Sequence, residues 1–217
     1  MHVLGSSNSI FNQFVAEIRD EQIQKDSMRF RRNLERCGEI FAYEISKTIN
    51  YSNKAVTTPL GEAVVSTPTD QLVIATILRA GLPMHQGLLN YFDKAENAFI
   101  SAYRKHDKNE NSFKIKVEYI SSPEIDDKVL IISDPMLASG ASMVSVLNAL
   151  KEIGSPSHIH IVSLIASKEG LAYVKKNTEQ SNITIWLGFI DDEMTATSYI
   201  VPGLGDAGDL AYGIKRD

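Results

Sequence analysis

One cysteine, Cys37, stands in the 217 residues of this chain, so no intramolecular disulfide can form. That fits a reducing compartment. Basic residues are in short supply too: 22 Lys and Arg meet 27 Asp and Glu, a formal net charge of -5. A dedicated nucleic-acid binder carries a basic surplus, so that class is disfavoured. An anionic small ligand is not, because a few focused positive groups suffice. Apolar runs such as LVIATIL are far too short to cross a bilayer. The opening MHVLGSSNSIFNQF lacks a basic segment followed by an apolar one, so no secretory signal is expected. Neither an internal repeat nor a low-complexity linker breaks the chain. These absences predict a soluble cytoplasmic protein with no membrane and no nucleic-acid partner. At 43% hydrophobic residues, it has the material for a core.

What is present is a rhythm. Phe30, Leu34, Cys37, Phe41 and Ile45 recur at spacings of three and four, which predicts a long helix over 27–49 with Cys37 as core filler. Short apolar strands then alternate with helical stretches. Strands are expected at 72–78, 98–103, 129–133, 158–166 and 183–190, with helices near 83–92, 141–153 and 168–176. Fully apolar strands alternating with helices predict an α/β fold, a mostly parallel sheet flanked by helices. Residues 104–128 break the rhythm. They begin with the polar RKHDKNENS and then alternate in KIKVEYI, which predicts a mobile loop or protruding β-arm.

The stretch VLIISDPMLASGASMVSVLNAL, residues 129–150, opens as a buried strand and closes as a helix. Ligands of parallel sheets bind at the carboxyl ends of strands, which aims Asp134 at a site. Pro135 keeps Asp134 extended. The helix then opens on Ser139, Gly140, Ala141 and Ser142, where unpaired amides and hydroxyls suit a phosphate dianion and Gly140 admits close approach. The same composition also makes an ordinary capped turn. No Gly-Lys-Ser/Thr signature and no dinucleotide fingerprint is present. Arg79 in ILRAGLP and Arg104 in AYRK end two further strands, and YIVPGLGDAGDLAYG is a glycine-rich loop carrying Asp206 and Asp209.

TTPLG (57–61), ILRAGL (77–82), DPMLASGAS (134–142) and YIVPGLGDAGD (199–209), in this order along the chain, resemble the uracil phosphoribosyltransferase family. The resemblance runs from the long N-terminal helix to the C-terminus. It implies a type I phosphoribosyltransferase fold in a single domain over 1–217. The core would span about 55–190, with an N-terminal helical segment 10–50 and a C-terminal base-binding hood 191–217 packed on it. It implies the transfer of phosphoribose from 5-phosphoribosyl-1-pyrophosphate (PRPP) to uracil, giving UMP and pyrophosphate. On this chain, Asp134, Pro135, Met136, Leu137, Ala138, Ser139, Gly140, Ala141 and Ser142 would hold the donor's ribose phosphate. Arg79 and Arg104 would bind its pyrophosphate, and Asp206 would contact the donor directly or through magnesium. The backbone at Ile200, Gly205, Asp206 and Ala207 would read uracil. Mg2+ would be held largely by substrate and water, with no dedicated protein metal site. Residues 105–112 would serve as a lid, and the chain around Arg79 would carry backbone strain with a non-proline cis peptide. Family members are dimers or larger, and GTP is a candidate effector. The chain departs from the family's habit at Ser139, where Thr is more frequent, at Ala141, where Gly is usual, and at Leu210, where many members have a basic residue.

Other readings compete. A nucleotide-binding regulator of pyrimidine genes with residual transferase activity would call for a basic face. A silent binding module fits poorly with Arg79, Arg104, Asp134 and Asp206 all retained. An adenine or orotate transferase shares the fold, but GLGDAGD speaks for uracil. His158 and His160 alternate along a strand with no partner ligand in view, so a structural place is expected for them, as it is for His85. His106 falls in the expected lid.

Overall fold

The structure, a computed structural model, describes residues 1–106, 113–178 and 181–215, with the side chains of 103–106 and 113–116 outside the description. The elements in chain order are β1 (His2–Val3), α1 (Ile10–Arg19), α2 (Ser27–Ser46), the hairpin β2 (Tyr51–Thr58) and β3 (Gly61–Pro68), β4 (Leu72–Leu78), α3 (Leu82–Tyr91), β5 (Glu96–His106) and β6 (Phe113–Ser121). There follow β7 (Val129–Ser133), β8 (Met136–Leu137), α4 (Ala141–Lys151), β9 (His158–Ser167), α5 (Lys168–Asn177), β10 (Ile183–Asp191), β11 (Glu193–Met194), β12 (Ile200–Val201) and α6 (Ala207–Tyr212).

The main sheet runs in the order β1-β10-β9-β7-β4-β5-β6, and every pairing in it is parallel except β5 with β6. Side chains on β4 and β7 sort by the two-residue period of a strand. Ile74 and Ile131 face a core formed with α1, α2 and α3, while Val73, Ala75, Leu130 and Ile132 face one formed with α4 and α5. Helices therefore cover both faces, as the apolar strands predict.

Local chemistry sets the helix ends. The Asp26 carboxylate caps α2 by accepting from Arg29 N–H at 3.0 Å. The helix stops at Ser46, short of the expected 49. Gly38 and Gly87 let α2 lie against α3: a Cβ at Gly87 would stand 2.0 Å from the Glu35 carbonyl. Cys37 is buried on the apolar stripe, where desolvation raises its thiol well above the ordinary range.

Two hairpins leave the body of the fold. The expected arm within 104–128 is the extension of β5 and β6, paired antiparallel. Residues 107–112, the core of the expected lid, lie outside the described residues, as does the His106 side chain. The second hairpin, β2–β3, was not foreseen as strands. Its two-residue turn at Pro59-Leu60 joins Thr58 to Gly61, and the side chains of both strands are almost wholly exposed.

Connections decide where a ligand can sit. From β4 the chain crosses by α3 to β5 on one side. From β7, the neighbour of β4 on the other side, it crosses by α4 to β9 and by α5 to β10. The winding reverses between β4 and β7, and their carboxyl ends form the crevice where parallel sheets bind ligands.

Candidate active site

Asp134 leaves β7 at that crevice. Its own N–H still donates to Val162 O at 3.1 Å, but the chain then bends, and β8 pairs with the far end of β9 through Met136–Ile165 and Leu137–Ala166. This detour lifts residues 134–137 over the sheet edge before α4 begins. The Asp134 carboxylate accepts from Met136 N–H at 3.2 Å. Burial pushes the carboxyl up to about 7, against a smaller downward pull from that N–H.

The loop from Ala138 to Ser142 is shaped from behind. Gly140 takes φ +76°, a left-handed conformation that a side chain would strain, and it forms the N-cap of α4. Ser139 Oγ accepts from Ala141 N–H at 3.4 Å. Ser167 Oγ donates to the Ala138 carbonyl at 2.6 Å and accepts from Gly170 N–H at 2.8 Å. Gly170 lies so near that a Cβ there would meet the Ala138 oxygen at 1.9 Å. The first turn of α5 thus holds the Ala138 carbonyl on the rear of the loop, while the loop's front carries the opening amides of α4. The sequence offered no sign of Ser167 and Gly170 in this role, since each reads alone as an ordinary helix-start residue.

Arg79 follows β4 directly, and the Leu78–Arg79 peptide is cis, as the family resemblance led one to expect. Its guanidinium donates to Asp209 Oδ1 at 2.9 Å and to the Gly213 carbonyl at 3.3 Å, both in the C-terminal segment. Arg104 lies on β5 opposite Ile115, three residues past Ser101, the last β5 residue paired with β4. Its side chain lies outside the described residues.

The C-terminal segment curls over the crevice from β10 onward. Asp191, the last residue of β10, accepts from both terminal nitrogens of Arg19 at 2.7 and 2.8 Å and from Gly203 N–H at 2.9 Å. Arg19 also donates to the Gly203 carbonyl at 2.9 Å. Burial alone would raise the Asp191 carboxyl, but the Arg19 guanidinium and the Gly203 N–H hold it below the usual range. Neither Arg19 nor Asp191 drew notice in the sequence, where they are 172 residues apart. Asp206 caps α6 by accepting from Asp209 N–H at 2.9 Å, with Lys215 Nζ at 3.7 Å from its other oxygen. Ile200, Leu204, Ala207 and Ala211 are buried and join the core, while Gly205 is exposed.

A cavity of about 350 Å3 opens at the opposite end of the sheet, lined by His158, His160, Asp70 and Thr184 among others. Trp186 Nε1–H donates to His160 Nδ1 at 3.0 Å, so the neutral ring carries its proton on Nε2 and has no lone pair there for a metal. His158 bonds Thr184 Oγ1 at 2.9 Å. His85 is buried against Phe99 and bonds Asn97 Oδ1 at 2.8 Å. Each of the three histidines makes a hydrogen bond within the fold, which fits the structural place expected for it. No group of three or more His, Cys, Asp or Glu suited to a metal occurs among the described residues.

A mostly parallel sheet with a glycine-bearing helix start and an acid at its switch point is the arrangement that the resemblance to the type I phosphoribosyltransferases implies. The family model for uracil phosphoribosyltransferase matches residues 6–214. The chain belongs to the uracil phosphoribosyltransferase family. A protein of that name from Porphyromonas gingivalis is 58% identical over 212 residues, covering 98% of this chain and 97% of the relative. Another, from Methanothermobacter thermautotrophicus, is 41% identical over 194 residues, covering 88% and 87%. Among solved structures, the AQ2163 protein from Aquifex aeolicus matches with a TM-score of 0.87 at 29% identity over 99% of both chains.

Proposed function

We propose that this chain transfers the phosphoribosyl group of PRPP to uracil, releasing pyrophosphate and forming UMP, through the residues gathered at the β4/β7 crevice. The observation that carries this is the junction 134–142: an acid and a buttressed helix start side by side at the switch point, in a chain of this family. Residues 137–142 receive the 5-phosphate on backbone amides and the hydroxyls of Ser139 and Ser142. Asp134, once ionised, accepts hydrogen bonds from the ribose hydroxyls. Arg79 and Arg104 take the pyrophosphate. As the anomeric C–O bond breaks, positive charge grows on the sugar and negative charge on the leaving group, so guanidinium groups fixed at the latter stabilise charge where it appears.

Uracil lies under the hood, read by main-chain groups of Ile200 and 205–207; the Gly203 N–H and carbonyl between them are already engaged by Asp191 and Arg19. Asp206 contacts the donor. The residues fit Mg2+ in a limited way: Asp134 and Asp206 supply lone carboxylates and no cage, which suits an ion carried mainly by diphosphate oxygens and water. When bound, it neutralises the leaving group. Residues 105–112 act as the lid that keeps water from the sugar cation.

A homodimer or larger assembly belongs to this reading. Val56, Leu60, Val64 and Val65 on the β2–β3 hairpin are exposed, Leu60 fully, and a second copy would cover them. The hood and the N-terminal helices form one domain with the core, supported by the Arg19–Asp191 tie. GTP activation is tested by adding GTP to the assay. Cytoplasmic residence fits a lone buried Cys37 that needs no oxidising compartment. Among the described residues no helix is long and apolar enough to cross a membrane.

The deciding experiment follows pyrophosphate release and nucleotide formation from PRPP with each nucleobase in turn. UMP formation with uracil alone supports the reading; turnover with adenine or orotate, or none with uracil, overturns it.

A further inference from the structure

We propose that Asp209 is an internal occupant of the pyrophosphate subsite, holding Arg79 until the donor displaces it. This role presupposes that Arg79 binds pyrophosphate. In the structure the guanidinium meets two oxygens, Asp209 Oδ1 at 2.9 Å and the Gly213 carbonyl at 3.3 Å. One is anionic and one is the negative end of a carbonyl dipole, a weaker version of what a diphosphate presents.

The contact is built to exchange. Arg79 and Asp209 side chains are 40% and 26% exposed, so water shares the pair and its net stabilisation is small. A diphosphate brings more charge and more oxygens to the same donors. The displaced carboxylate stays in water and keeps the Lys215 N–H, which donates to Asp209 Oδ1 at 3.3 Å.

The position of Asp209 gives the exchange a consequence. Its N–H donates to Asp206 Oδ1 at 2.9 Å, and its carbonyl accepts from Gly213 N–H at 2.8 Å. A Cβ at Gly208 would stand 3.7 Å from Arg79 Nη2, so the guanidinium lies beside the first turn of α6. That turn also carries Ala207, in the segment assigned to uracil. Releasing Asp209 therefore frees the base-reading segment from the pyrophosphate arginine. The two subsites are coupled by one ion pair, and such coupling is reciprocal. Asp209 thus sets the order and relative affinity of the two substrates without touching either of them.

Asp209→Asn keeps the shape and removes the charge, and Asp209→Ala removes the contact. Calorimetric titration of both variants with inorganic pyrophosphate and Mg2+ is expected to show affinity about two- to fivefold tighter than that of the unmodified chain, the reach of an exposed ion pair. Ribose 5-phosphate, held at the loop 137–142 and by Asp134 and not by Arg79, is expected to bind all three proteins alike. Pyrophosphate affinity unchanged or weaker in both variants, with ribose 5-phosphate unaffected, overturns the role of Asp209 alone. Weakening of both ligands means that Asp209 supports the fold and also overturns it. No pyrophosphate binding by any of the three overturns the pyrophosphate role of Arg79 as well.

Discussion

Arg19 and Asp191 form a two-pronged ion pair, at 2.7 and 2.8 Å, that joins the end of α1 to the end of β10 and grips Gly203 between them. Arg19→Ala leaves a largely buried carboxylate with one remaining donor. The loss is expected to be about 3 kcal/mol and to raise KM for uracil more than KM for PRPP, since Gly203 belongs to the hood. The Asp191 carboxyl is depressed in the folded state, so the pair's contribution is present above the ordinary carboxylate range and is lost as pH falls through it. The difference in Tm between the two proteins is therefore expected to shrink in acid. Equal rises in both KM values would separate the pair from the hood.

Asp134 has the opposite sign. Its carboxyl is raised from 3.8 to about 7, so between those values the folded chain keeps a proton that the unfolded chain has shed. Stability should fall as pH climbs through that window. Asp134→Asn removes the dependence, and its Tm is expected to exceed that of the unmodified chain at pH 8 by more than at pH 5, while transferase activity is lost. Activity in the unmodified chain is expected to rise through pH 7 as the carboxylate forms. Melting curves at the two pH values check the first statement and the pH profile of kcat/KM the second.

Gly170→Ala sets two effects against each other. Ala favours a helix by about 1 kcal/mol over Gly. Its Cβ would stand 1.9 Å from the Ala138 carbonyl, and relieving such overlap costs about 1–3 kcal/mol. The overlap should win by shifting the loop 138–142. The expected result is a rise in KM for PRPP of tenfold or more, in the sense of roughly 1.4 kcal/mol per decade, with KM for uracil little changed. An unaltered KM for PRPP would remove the α5 buttress from the site.

Arg104→Ala is expected to lower kcat/KM by about 3–4 kcal/mol of barrier, the scale for losing a donor aimed at developing charge. Tm should hardly move. Unchanged steady-state kinetics would exclude Arg104 from the chemistry.

Uracil should exceed cytosine by roughly a hundredfold in kcat/KM. Uracil offers an acceptor at O4 and a donor at N3, and cytosine inverts both. Fixed main-chain groups would leave two buried polar groups unpaired with cytosine, at about 1–3 kcal/mol each. Ala207→Leu is expected to weaken uracil binding because Ala207 is buried in the same core as Ile200 and Leu204, so a larger side chain moves the hood. Comparable turnover of the two bases, or normal uracil affinity in that variant, would contradict this.

The sheet and its helices were legible because they are local. Short, fully apolar runs and a period-3.6 stripe placed β4, β7, β9, β10 and α2 to within a few residues, and the small-residue run 138–142 marked a helix start wherever the rest of the chain went. Family motifs then named Arg79, Asp134 and the C-terminal glycines. The β2–β3 hairpin stayed hidden because its strands bury almost nothing, so no apolar alternation announces them. What only the tertiary structure decided is which residues meet across the sheet: Arg19 with Asp191, Ser167 with Ala138, and Arg79 with Asp209. An ion pair or hydrogen bond between such distant positions leaves no period and no spacing in the chain. It exists only once packing of the apolar faces has brought the two side chains within reach.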